Sequence, residues 1–407
     1  LSDAVGAFEA MEAEIAPELS WQMGRPVRYG AGEVRGFAER ARTMLALAPA
    51  GLQDLECSPK AGFRRFIRRD ALGVVLVLAP WNYPYLTAVN AIWPALAAGN
   101  SVVLKHSDQT PLCAERMAQA LSALPEGVFQ VVHCSHETLG QVLPQGGMDL
   151  VAFTGSVGGG QAVHRALGGT LVPAAFELGG KDPAYVRADA PFEHTVESVV
   201  DGAFFNSGQS CCAVERVFVD RALYPRFVEA VVAAVQGYTL GDPLDPETTL
   251  GPVVRPRNAE AIRAQVAQAL AGGARDLISG FRDEGAYVAP RVLVDVDPSM
   301  AVMREETFGP VLPIFPVDGD EQALRLMNDS DYGLTASIWS QDVDQAILLG
   351  DRLETGTVFL NRCDALDPEL AWVGVKHSGP GATLSQVGYE RLTRPKSFHL
   401  RLPESLS

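Results

Sequence analysis

Basic residues are the scarce class in this chain. Lys and Arg number 33 against 49 Asp and Glu, a formal charge of −16 at pH 7. A surface that acidic repels a phosphate backbone, which excludes nucleic acid as the main partner. The one local excess of cations, Arg64, Arg65, Arg68 and Arg69, reads as the solvated face of a strand. Long apolar runs are also missing. None approaches the ~20 residues that span a bilayer, so no membrane partner is expected. Cysteine is sparse: Cys57, Cys113, Cys134, Cys211, Cys212 and Cys363 fit neither a zinc spacing nor a disulfide framework. No metal and a reduced, cytoplasmic location are the expectations. No basic-then-apolar leader opens the chain, which begins at Leu1 rather than Met.

What is present is the texture of an α/β protein, and 407 residues exceed one ordinary core. Residues 1–50 carry apolar side chains at helical spacing, at Val5, Phe8, Met11 and Ile15 and again at Phe37, Ala41 and Met44. From Leu72 short continuous apolar runs appear, as buried parallel strands require: 73–79, 101–105, 128–132 and 148–153. The helical stretch 111–124 lies between two of them. Strand–helix–strand repetition predicts a doubly wound sheet. A second set follows Gly180, with strands at 184–186, 216–219, 311–315 and 357–360 and helices at 192–205 and 224–238. Residues 63–69 and 396–401 alternate like exposed strands. The expected fold class is therefore α/β: a doubly wound domain (1–59 and 74–179), a second α/β domain (180–375) and a small β bridging element (60–73 and 392–407).

The chemistry-bearing residues sit where these runs end. Asn206-Ser207-Gly208-Gln209-Ser210-Cys211-Cys212 puts a cysteine in a glycine-bearing loop, and Phe176-Glu177-Leu178-Gly179-Gly180-Lys181 puts a lone glutamate at an apolar turn. A free thiol has a pKa near ~8.5 and needs help to attack a carbonyl, so the two suggest a nucleophile and its general base. Spacing alone does not choose between Cys211 and Cys212. Pro80-Trp81-Asn82-Tyr83-Pro84 ends the first strong strand, where the Asn82 amide can donate to an oxyanion or simply form a turn. Leu104-Lys105-His106-Ser107-Asp108 closes the next strand, a place for a ribose-binding Lys and acid or for solvated charge. Phe153-Thr154-Gly155-Ser156 leads into a helix, where Ser156 can face a phosphate or cap the helix. Glu305-Glu306-Thr307-Phe308-Gly309-Pro310 completes the set.

Together, and in this order, the motifs resemble those of the aldehyde dehydrogenase superfamily from about Ala71 onward. The resemblance implies an NAD-binding first domain and a catalytic second domain. It makes Cys211 the nucleophile, Glu177 the base that activates water against a thioester, and Asn82, with the Cys211 N–H, the oxyanion donor. Trp81, Lys105, Asp108, Gly155, Ser156, Gly179, Glu306 and Phe308 are implied around the dinucleotide. The Asp108 carboxylate would accept a ribose 2′-hydroxyl and repel a 2′-phosphate, so NAD is expected over NADP. Tyr83, Thr87, Asn90, Phe205, Ser210, Cys212 and Trp372 are implied as the substrate tunnel.

That lining is aromatic and mostly uncharged, with no Arg to hold a carboxylate, so a medium-chain aliphatic or aromatic aldehyde is expected. An aminoaldehyde is the rival, on the acids Asp364, Asp367 and Glu369. A coenzyme A-acylating enzyme and a catalytically silent relative also stay open. Family strands like 63–69 and 396–401 join subunits, which implies a homodimer or homotetramer. Members usually carry a further N-terminal stretch. Two departures occur together: many members have Lys where this chain has Ala91, and Arg-Glu where it has Ala382-Thr383. In those members the Lys and Glu serve a proton exit path, so proton release here is expected through water.

Overall fold

The computed structural model describes residues 1–405; Leu406 and Ser407, at the end of the expected segment 392–407, lie outside the described residues. Two mostly parallel sheets organise the chain. The first has five strands in the spatial order Phe129–Val131, Ser101–Lys105, Val74–Leu78, Leu150–Thr154, Ala174–Glu177. All four pairings are parallel. The chain starts at the central strand, fills one side, then crosses to the other. That reversal leaves a crevice beyond the carboxyl ends of Val74–Leu78 and Leu150–Thr154, the place where open α/β sheets bind ligands.

The second sheet has seven strands: Arg275–Asp276, Arg291–Val294, Val311–Val317, Val214–Asp220, Asp182–Val186, Thr335–Trp339 and Thr357–Leu360. Only the two-residue edge strand is antiparallel. Val217 and Val219 join one buried apolar cluster and Phe218 the other, so both faces are covered. Burial on both faces explains why the strand reads as an unbroken apolar run rather than an alternating one.

The helices Ser2–Glu9, Glu12–Met23 and Gly30–Gly51 cover one face of the first sheet. They are pinned by an aromatic group: the Phe8 and Phe37 rings lie 3.8 Å apart, Phe37 meets Trp93 edge-on at 4.8 Å, and Phe8 meets Tyr85 at 4.9 Å. Each such pair contributes about 0.5–1.5 kcal/mol beyond its buried area. Tyr85 and Trp93 belong to the helix Pro84–Ala97, which starts two residues after Asn82.

Phe63–Ala71 pairs antiparallel with Thr393–Arg401, and Leu55–Glu56 lies on the other side. The Phe66 and Phe398 rings stack at 4.5 Å. Most side chains of Thr393–Arg401 are exposed, and no strand covers its outer edge among the described residues.

Several features differ from what the sequence predicts. Glu177 is not at a turn but is the last residue of a strand, paired with Thr154. Four residues are too few to show a period. The strands Arg291–Val294 and Thr335–Trp339 and the helix Pro256–Ala271 were also not read from the sequence. Among the described residues no helix is long and apolar enough to cross a membrane.

Candidate active site

The crevice above the first sheet opens into two cavities. The larger, about 650 Å³, is walled by the ends of its strands and by the turn Glu306–Phe308. Trp81 and Asn82 line it from the central strand, Lys105 and Asp108 from the next, and Gly155 and Ser156 from the third. Gly179, Glu306 and Phe308 close it from the second sheet's side. The smaller cavity, about 230 Å³, takes Tyr83, Thr87, Asn90, Phe205, Ser210, Cys212 and Trp372. Cys211 and Glu177 line both. They therefore stand where the two spaces meet.

The cysteine loop is strained and heavily tethered. Asn206 (φ 53°), Ser207 (φ 56°) and Gly208 (φ 70°) are successive left-handed residues. The two non-glycine residues cost roughly 1–2 kcal/mol each in that conformation. A Cβ at position 208 would run into the Gly309 carbonyl. The strain is held by Ser207 Oγ donating to Gly251 O (2.7 Å), Gln209 Nε2 to Asn206 O (3.0 Å) and Val254 N to Gln209 Oε1 (2.8 Å). Strain of this kind is kept at sites where position matters.

Asn82 is buried, and its Nδ2 donates to Gln209 O at 3.2 Å, which ties the strand end to the cysteine loop. Its own carbonyl accepts from Arg25 (2.6 Å) and from Asn206 Nδ2 (3.1 Å). Arg25 also forms a buried ion pair with Glu33. Glu33 Oε1 in turn accepts from the N–H groups of Tyr85 and Leu86, both at 3.0 Å, at the start of the helix Pro84–Ala97.

Glu177 is gripped by two hydroxyls: Thr154 Oγ1 donates to Oε2 at 3.1 Å, and Thr383 Oγ1 donates to Oε1. Burial pushes its carboxyl above the usual range, while these two bonds and the charge of Arg40 pull it back. Thr383 stands opposite Trp372 in a two-stranded ribbon. The C-terminal loop reaches this point along the backbone of Glu177–Gly179: Leu178 N donates to Ser378 O (3.0 Å), and Ser378 Oγ donates to Gly179 O (2.8 Å).

Cys211 is half-buried and open to both cavities, whereas Cys212 is buried and reaches only the smaller one. A hydrogen bond with Cys211 and burial raise the Cys212 thiol pKa well above the ordinary value. That arrangement suits Cys211 to nucleophilic work and Cys212 to a packing role.

The profile of the aldehyde dehydrogenase family matches residues 1–398. The chain belongs to that family. As an aldehyde dehydrogenase it is an oxidoreductase that acts on small-molecule aldehydes with NAD or NADP. It is 35% identical over 399 residues to the NAD(P)+ succinate semialdehyde dehydrogenase Sad of Escherichia coli strain K12, covering 95% of this chain and 85% of that one. It is 34% identical over 402 residues to the geranial dehydrogenase of Castellaniella defragrans, covering 97% and 83%. Among solved structures, the NAD-dependent aldehyde dehydrogenase from Sinorhizobium meliloti superposes with a TM-score of 0.95 at 30% identity, covering 99% of this chain and 81% of that one.

Several groups in this aldehyde dehydrogenase's site escaped the sequence reading. Arg40 lines the smaller cavity, so the expectation that no Arg reaches the tunnel is corrected. Of the three loop acids, Asp364 lines that cavity; Asp367 and Glu369 are exposed and do not. Arg255 and Arg257 line the larger cavity with Asp108, and the Asp108 charge acts on Arg255. Glu215, paired with Lys181 at 2.7 Å, accepts from the N–H groups of Thr307 and Phe308, both at 2.8 Å, and so fixes the Glu306–Phe308 turn.

Ser156 lines the larger cavity, and its Oγ accepts from Gly159 N at 3.2 Å as a helix cap.

Proposed function

We propose that this chain oxidises an aldehyde to its carboxylate with NAD, using Cys211 as nucleophile, Glu177 as general base and Asn82 with the Cys211 N–H as oxyanion donors. The observation that carries the reading is that Cys211 and Glu177 line both cavities, between a space suited to a dinucleotide and one suited to a small organic molecule. The larger cavity fits the cofactor on its own features. Ser156 opens a helix whose first N–H groups suit phosphate. Lys105 is buried with no acceptor for its ammonium among the described residues, which suits ribose hydroxyls. A Cβ at position 179 would strike the Glu306 carboxylate, so glycine keeps that approach open. When bound there, the dinucleotide supplies the hydride acceptor.

The chain's own work is then as follows. The Cys211 thiolate adds to the carbonyl carbon, and the carbonyl oxygen takes the negative charge, held by Asn82 Nδ2 and the Cys211 N–H. Loss of hydride leaves a thioester on Cys211. Glu177 takes a proton from water as the water adds, the C–S bond breaks to release the carboxylic acid and restore the thiolate, and the acid and then Glu177 give up their protons to solvent. Removal of a positioned base costs on the order of 10²–10⁴ in rate. Glu177 weighs against coenzyme A as acceptor, and the complete set weighs against a silent relative. Cytoplasmic location and a homodimer or homotetramer joined through Phe63–Ala71 and Thr393–Arg401 belong to the same proposal, as does the division into 1–59 with 74–179, 180–375, and 60–73 with 392–407.

Tyr83, Phe205 and Trp372 support a substrate with a hydrocarbon body, of medium chain length or aromatic; burial of a phenyl-sized group is worth about 1.5–3 kcal/mol. Relatives named for succinate semialdehyde and for geranial bracket a charged and an apolar case. The test is NAD reduction over a panel of aldehydes. Cys211→Ala should abolish it and Cys212→Ala should keep most of it. The opposite pattern would put the nucleophile at Cys212.

A further inference from the structure

Three arginines reach the interior around the site, and one differs from the others. Arg25 uses every arm: Nε to Asn206, one terminal nitrogen to Glu33, the other to Asn82 O. Arg216 likewise spends Nε on Lys181 O and its terminal nitrogens on the carbonyls of Leu326 and Met327. Arg40, on the helix Gly30–Gly51, uses only one terminal nitrogen, which donates to Leu86 O at 2.5 Å and to Asn90 Oδ1 at 3.4 Å. Among the described residues its Nε and second terminal nitrogen have no acceptor, and no carboxylate forms an ion pair with it. It lines the same 230 Å³ cavity as Cys211. A guanidinium with Nε–H and an adjacent N–H free is the fork that matches a carboxylate in bidentate fashion.

Among the described residues Glu33, Glu177 and Asp364 act on this charge through space, but none forms an ion pair with it. Glu177 is held by Thr154 and Thr383, and burial opposes its ionisation. Cys212 is a buried thiol. Asp364 Oδ1 is committed to Ser210 and Cys212. The two carbonyl-type acceptors, Leu86 O and Asn90 Oδ1, hold the guanidinium in place without neutralising it. Arg40 is thus a tethered cation without an ion-pair partner among the described residues, in a small cavity that Cys211 also lines.

We propose that Arg40 receives a terminal carboxylate, so that the preferred substrates are semialdehydes of short dicarboxylic acids. This rests on the aldehyde-oxidising reading above and replaces its medium-chain or aromatic hydrocarbon substrate with a short one that ends in a carboxylate. The carbonyl meets Cys211, the methylene chain lies against the aromatic wall, and the far carboxylate meets Arg40.

The experiment compares kcat/KM with NAD for succinate semialdehyde, butanal and 4-aminobutanal. The wild-type enzyme should favour succinate semialdehyde at least tenfold over both. Arg40→Gln should cut the ratio of succinate semialdehyde to butanal tenfold or more, mainly through KM, and Arg40→Lys should recover part of it. In the wild-type protein alone, succinate should slow alkylation of Cys211 by iodoacetamide and butyramide should not; this readout holds even if the variant fails to fold. A wild-type preference for butanal or 4-aminobutanal, or an equal loss on both substrates in Arg40→Gln, would overturn the carboxylate assignment and leave aldehyde oxidation standing. No reduction of NAD or NADP with any of the three would overturn both.

Discussion

One oxygen of Asp364 accepts hydrogen bonds from both residues that flank Cys211: Ser210 Oγ at 2.6 Å and Cys212 Sγ at 3.0 Å. A single carboxylate from the loop after Thr357–Leu360 therefore clamps the neighbours of Cys211 on either side. Asp364 is itself left-handed, at φ 43°. Burial raises its carboxyl pKa, and the two donors lower it. A hydrogen bond to a charged group contributes about 1.5–3 kcal/mol. Asp364→Ala should therefore lower kcat roughly tenfold or more and change the rate at which iodoacetamide labels Cys211. A variant with wild-type kcat and labelling rate would show the clamp to be idle.

Asp108 and Arg255 both line the larger cavity, and their opposite charges act on each other. With the proposed ribose beside them, Asp108 would repel a 2′-phosphate and Arg255 would attract one. Asp108→Ser should raise the efficiency of NADP relative to NAD, and Arg255→Ala should lower it. Paired measurements of kcat/KM for the two cofactors check this. A wild-type enzyme that prefers NADP would contradict the proposed choice of NAD.

His106 stands where the family usually has proline, and it is buried. Its Nε2–H donates to Pro84 O and its Nδ1 accepts from Thr110 Oγ1, both at 3.2 Å. Burial depresses its pKa to about 4. The unfolded chain then binds this proton at higher pH than the folded one, so folding stability falls as pH drops from about 6.5 toward 4. His106→Gln should flatten that part of the curve. Urea midpoints at a series of pH values would show it; identical slopes in the two proteins would not fit.

Thr383 occupies the place of the family's relay glutamate but acts as a donor to Glu177. Its hydroxyl favours the ionised base, against the effect of burial. Loss of that bond raises the Glu177 pKa further. The acidic limb of the pH–rate profile should therefore move to higher pH in Thr383→Ala and stay near its wild-type position in Thr383→Ser. A limb that does not move in the alanine variant would remove Thr383 from the base's environment.

The motif residues were legible because they cluster at strand ends, where short stretches of sequence carry both the strand and its functional turn. Asn82, Ser156 and Cys211 each follow an apolar run or a glycine loop visible on its own. Arg25, Glu33 and Arg40 were not, because each reaches the site from the first fifty residues, distant in sequence from any motif. Arg40 did leave a trace. Phe37, Ala41 and Met44 are the buried face of their helix, and position 40 falls on that same face. A charged residue in an apolar stripe is a breach of the pattern that calls for a partner. The strand ending at Glu177 was hidden for a simpler reason: its pairing with Leu150–Thr154 is set by tertiary contact, not by four residues of local sequence.

The most direct test of the account is a rapid-mixing experiment on Glu177→Gln with an oxidisable aldehyde and NAD, followed by mass analysis of the quenched protein. The account predicts a burst of NADH of about one per active chain, slow turnover afterwards, and an acyl adduct on the peptide at Cys211. Unaltered steady-state turnover, or an adduct on Cys212 with Cys211 free, would contradict it.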